Sequence, residues 1–140
     1  MAVPFNKFQP FVENLAQKGI DLSGAQLTVG MCNAANPPLA ADGVIADEVQ
    51  VAYTNLSTRV CTVFSHAQTG GTFKLCITDL VLTTGATAIG PFQYVFLYDD
   101  GSVGDMLIGW YDYGLEITLA AGGETLTIDF DGTNGVLQLA

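Results

Sequence analysis

Residues 90–131, GPFQYVFLYDDGSVGDMLIGWYDYGLEITLAAGGETLTIDFD, leave this chain little choice of fold. Phe92, Tyr94, Phe96 and Tyr98 alternate with Gln93, Val95 and Leu97. Successive side chains of a strand point to opposite faces, so the four aromatic rings share one face. The other face is also largely apolar, which predicts an inner strand covered on both sides. Asp99-Asp100-Gly101-Ser102 supplies turn chemistry. A strand carrying Trp110, Tyr111 and Tyr113 follows. Leu115, Ile117 and Leu119 then alternate with polar neighbours, as do Leu126, Ile128 and Phe130, and both runs read as half-buried strands. The stretch is expected to hold four strands.

The rest of the chain is read in order around it. Residues 1–10 form an apolar arm with Pro4 and Pro10. A short helix is predicted over 9–18, with Phe8, Phe11, Val12 and Leu15 at helical spacing and Gly19 as its stop. Residues 20–24 turn, and 25–32 make a strand. Residues 33–43 form a loop around Pro37-Pro38, which cannot join a ladder. Residues 44–51 fit a short strand or a helical turn, and 53–58 connect. Further strands are expected at 59–64, 72–77, 79–84 and 135–139, with a turn over 67–71 and a loop over 84–90. Eight to nine short strands predict an all-β, jelly-roll-like two-sheet sandwich with one N-terminal helix. The expected organisation is one domain over 1–140, with an arm and helix at 1–19 and the sandwich at 25–140.

Composition narrows the function classes. Four Lys and Arg against fourteen Asp and Glu give a net charge of −10. Such a surface repels phosphate backbones and anionic membranes, so neither nucleic acid nor membrane is an expected partner. It favours a basic patch on a protein partner. Charged residues make up only 13% of the chain. A thinly charged exterior with many apolar residues is a sign of assembly. Residues 1–11 lack the charged-then-apolar order of a secretion signal, so synthesis in the cytoplasm is expected. Cys32, Cys61 and Cys76 are odd in number, have no CxxC spacing and sit in apolar runs, which predicts buried free thiols.

No catalytic constellation stands out, and neither an enzyme nor a cofactor is expected. Ser65 and His66 are neighbours, but on a strand they point apart. The run from Asp129 to Gly135 begins like a calcium loop but lacks Gly at the sixth position and a Glu at the twelfth. It reads as a hairpin turn, and Asp99, Asp100 and Asp105 read as a second acidic turn. Trp110, Tyr111 and Tyr113 would suit sugar stacking, though alternating strand aromatics more often pack a sheet.

SHAQTGGTFKLCITDLVLTT, IGPFQYVFLYDD, LIGWYDYG and ETLTIDFDGTNGVLQLA resemble a set of small tailed-bacteriophage virion proteins. That set shares a Gly-Gly turn, a G-P-x-x-Y-x-x-L-Y-[DN]-D hairpin and an F-D-x-x-x-G-[VI]-x-x-L ending. The likeness covers nearly the whole chain, most firmly 67–140, and is nearest to head cement, or decoration, proteins of podovirus-like phages. It implies a jelly roll on the outside of the phage head that stabilises the shell. The implied partners are the major capsid protein and a second copy, with a dimer favoured. Tail, neck or fibre-base roles and a carbohydrate-binding sandwich are the alternatives. The resemblance brings no catalytic residues. Phe5 and Phe8 of the arm, with Asp99, Asp100 and Asp105, are the expected partner contacts, because rings near a chain end and an acidic turn both call for cover.

Overall fold

The computed structural model describes residues 3–23 and 26–140. Residues 1 and 2 of the arm, 24 of the expected turn and 25 of the expected strand lie outside the described residues. In chain order the elements are β1 (Phe5–Lys7), α1 (Gln9–Ala16), β2 (Leu27–Cys32), a 3-10 turn (Ile45–Asp47), β3 (Val63–Thr69), β4 (Thr72–Ile77), β5 (Leu80–Thr83), β6 (Ile89–Asp99), β7 (Met106–Leu119), β8 (Thr125–Ile128) and β9 (Leu137–Leu139). The fold is an all-β sandwich with one helix. Its main layer is a four-stranded antiparallel sheet in the order β1-β7-β6-β2. Opposite it are a three-stranded sheet, β3-β4-β9, and a two-stranded one, β5-β8. Leu75, Ile77, Leu82 and Ile128 of the smaller sheets join Leu27, Val29, Phe92, Phe96 and Leu107 of the main sheet in one buried cluster.

β6 is an inner strand, and Val95–Asp99 of it is buried on both faces. Its central ring is accommodated by a glycine. Phe96 pairs with Gly30 of β2, and a Cβ at Gly30 would lie 2.1 Å from the ring. Gly109 of β7 does the same for Phe5, whose ring would lie 2.5 Å from a Cβ there. Cross-strand aromatics laid over glycines pin register as well as filling space.

Three strands differ from their sequence expectation. The two strands expected at 110–113 and 115–119 are one strand, β7. Phe92 pairs with Ile117 and Tyr94 with Asp112, so a two-residue step on β6 is matched by five on β7. Gly114, at φ +76°, absorbs the excess as a bulge. The strand expected at 59–64 begins instead at Val63 and runs to Thr69, so the Gly70-Gly71 turn is shorter than the expected 67–71. The arm is not separate from the sandwich, since β1 is an edge strand of the main sheet.

The helix buries Phe8 and Phe11 but leaves Val12 53% exposed, so its apolar stripe is narrower than the spacing suggested. It ends through Lys18, in the left-handed region at φ +63°, and not through Gly19. The Gly19 N–H donates to Asn14 O at 2.7 Å, and Met106 packs where a Cβ would stand. All three cysteines are free and buried. Burial pushes the Cys61 thiol up to about 12.

Candidate functional site

The expected contact residues separate once they are placed. Phe8 is wholly buried in the chain's own core, its ring 4.6 Å from Trp110, so it offers no surface to a partner. Asp99 is also buried. Its Oδ2 accepts the Asp21 N–H at 2.9 Å and its Oδ1 the Gly101 N–H at 3.0 Å, which makes it a clamp between two loops. A buried carboxylate with each oxygen held by a backbone donor is not presented to a partner. Asp100 is exposed at the turn, and Asp105 is half-buried at φ +54°, its carbonyl accepting the Ile45 N–H at 3.0 Å. Phe5 is half-buried, 5.1 Å from Tyr111 across the β1–β7 pair.

Phe5 leads to a feature that no single motif announced. A cavity of about 510 Å³ is lined by Val3 and Phe5 of the arm, Tyr111 and Tyr113 of β7, and residues of 127–136. The arm, the aromatic strand and the rejected calcium loop therefore converge on one place. Phe130, Val136 and Tyr111 are buried and line it from inside, while Asp129 and Asp131 are exposed at its rim. Asp131 is committed to its turn. Its Oδ1 accepts the N–H groups of Thr133 at 2.9 Å and Asn134 at 2.7 Å, and its Oδ2 accepts the Asn134 side-chain amide at 3.1 Å. Those bonds hold its carboxyl below the usual range. Asp129 makes no side-chain hydrogen bond among the described residues. Burial raises the Tyr111 and Tyr113 hydroxyls, and the negative field of Asp129 raises both further. Of the three aromatics expected together on β7, Trp110 turns to Phe8 and is not part of this lining.

A second feature adjoins it. β3 is seven residues long and, among the described residues, an edge strand with only β4 beside it. Val63, Phe64, Ser65, His66, Ala67, Gln68 and Thr69 carry no Asp, Glu, Lys, Arg or Pro. Five of the seven are exposed, including Phe64 at 57%. The Phe64 ring stands 3.7 Å from where a Cβ on Gly132 would be, and Gly132 lines the cavity. Ser65 and His66 face Cys76 and Leu75 across the β3–β4 pair as ordinary ladder residues. The sequence held the signal in SHAQTGGT, a neutral run with no large apolar residue after Phe64, which suits a strand exposed on both faces.

Among the described residues, no group of three or more His, Cys, Asp or Glu side chains is placed to hold a metal ion, and no helix is long and apolar enough to cross a membrane. Comparison of the chain with protein-family models, with curated proteins and with solved structures gave no match.

Proposed function

We propose that this chain is a structural virion protein, a cement or decoration protein that binds the outside of a phage head and stabilises the shell. The observation that carries the proposal is the open edge of β3. A neutral, exposed edge with no Lys, Pro or covering loop is a template for strand addition, and proteins that must stay monomeric blunt such edges. The net charge of −10 fits a basic patch on the shell, and the motifs at 65–84 and 89–100 support the same reading by resemblance. A ligand that binds assembled lattice and not free subunits stabilises the lattice by mass action. A second copy pairing there about a two-fold axis would occupy the edge instead, so the homodimer that the resemblance implies must use another surface.

Co-sedimentation tests the proposal. Purified protein should pellet with shells that lack it and should not associate with free capsid subunits. Ala67→Lys with Ser65→Lys on β3 should abolish pelleting while the protein stays folded. Equal binding by wild type and the double variant would remove the edge from the account. A second reading, a carbohydrate-binding sandwich, has one observation in its favour: Tyr111, Tyr113 and a free carboxylate share a cavity. Binding on a glycan array would favour that reading.

A further inference from the structure

We infer that the cavity between the arm, β7 and the 129–136 turn is a receptor for a basic side chain, lysine or arginine, presented by the protein partner. The cavity lining contains no Lys, Arg or His, and its polar groups are the carboxylates of Asp129 and Asp131, the Tyr111 and Tyr113 phenols and the Thr127 hydroxyl. Tyr111 lines the cavity and its hydroxyl makes no hydrogen bond among the described residues, yet it is not one of the buried unpaired atoms, so it is open to the cavity. An open hydroxyl with no protein partner can donate to or accept from a group that enters the cavity. Asp129 is equally uncommitted and brings negative charge to the same opening. Charge complementarity therefore selects a cation.

Shape selects the kind of cation. The Phe5 and Tyr111 planes meet at 56° and the Tyr111 and Phe130 planes at 50°. Tilted rings make a sleeve, not the flat platform on which a sugar ring stacks. A sleeve ending in carboxylate and phenol groups suits a methylene stem with a charged head, the stem lying along the rings and the head reaching Asp129. Arginine gains more than lysine, because its planar guanidinium can stack on a ring while bonding a carboxylate. The position is also right. Phe64 joins the rim of the cavity to the β3 edge, so a strand added at β3 can drop a side chain into it. The inference rests on the docking reading above for the partner's identity, but the cavity's preference is a property of the isolated chain.

The test is an NMR titration of the full chain, observing the rings of Phe5, Tyr111, Tyr113 and Phe130. The probes are Nα-acetyl-arginine amide, Nα-acetyl-lysine amide, neutral Nα-acetyl-norleucine amide and a set of monosaccharides. The two cationic amides should shift these rings saturably, and the norleucine amide should shift them much less. Asp129→Asn should weaken arginine-amide binding about fivefold, the loss of one partly exposed ion pair. Tyr113→Phe should weaken it while keeping the fold. Raising salt from about 0.05 M to about 0.5 M should weaken it too. Equal shifts with norleucine amide, or insensitivity to Asp129→Asn, would overturn the inference, as would saturable shifts from a sugar alone. Shell co-sedimentation reads the docking separately. Docking that survives Asp129→Asn unweakened would overturn the cavity's role and leave the β3 edge standing.

Discussion

Two strand edges of this molecule are treated in opposite ways. The outer edge of β2 is covered at Leu27, Val29 and Met31. Cys61 N–H donates to Leu27 O at 2.7 Å, Val29 N–H to Arg59 O at 2.9 Å, and Val51 N–H to Met31 O at 3.0 Å. Side chains complete the seal: Tyr53 Oη accepts the Met31 N–H at 2.7 Å, and Arg59 donates to Val29 O at 2.5 Å. The guanidinium also lies over the Tyr53 ring, 3.8 Å from its centroid. The 50–61 connection thus works as a substitute strand. The edge of β3 has no such cover among the described residues. A chain that closes one edge with so many bonds has the means to close another. On the proposed reading the uncovered β3 edge is the one that takes a partner, while the covered β2 edge belongs to the stable core.

The largest effect should come from the sealed region. Phe96→Ala should cost about 3–5 kcal/mol in a urea melt, because the ring is enclosed over Gly30 and cannot be replaced by water. A wild-type midpoint would mean that the β2–β6 layer is not the core. Next comes pH. Glu48, between the 3-10 turn and that connection, is only 9% exposed; its Oε1 has no partner among the described residues, and its Oε2 accepts the Cys32 thiol at 3.5 Å. Burial raises its carboxyl from 4.5 to about 7. Between those values the folded chain binds more protons than the unfolded one, so stability should fall as pH rises through that window. The fall should amount to as much as about 3 kcal/mol, and Glu48→Gln should flatten it. An unchanged profile in Glu48→Gln would show the carboxylate to be solvated.

A smaller loss is expected when the seal itself is cut. Arg59→Ala should cost about 1.5–2 kcal/mol through the lost bond to Val29 O and the lost stacking. It should also make the isolated protein self-associate through the uncovered β2 edge, as read by analytical ultracentrifugation. The smallest effect belongs to β3. Ser65→Lys and Ala67→Lys should each change stability by less than about 0.5 kcal/mol. A melt that drops several degrees would assign β3 a structural role and weaken the contrast between the edges.

The legible parts of the fold were those where burial writes a pattern. β6 and β4 were readable because their alternation is enforced by cover, and β4 spans Thr72–Ile77 as the sequence predicts. β3 was misplaced because its second half, residues 66–69, is exposed on both faces and needs no hydrophobic alternation, while the apolar Val60 and Cys61 just before it serve the β2 seal. β7 was divided because Gly114 looks like a turn from sequence and is a bulge in space. The cavity was the least legible feature. Its parts lie at residues 3–5, 111–113 and 127–136, and each reads separately as arm, core strand or turn. Asp99 and Phe8 looked like surface groups because turns and termini usually are, but backbone donors captured the one and Trp110 the other.

The central claim is tested most directly by cryo-electron microscopy of virions that carry this chain. The account predicts sandwich-shaped density on the outer surface of the head, with the β3 edge and Phe64 against the capsid protein and the sealed β2 edge away from it. Density at the tail, neck or fibre base would contradict the head assignment, and a head-bound sandwich with β3 facing solvent would contradict the role given to its edge.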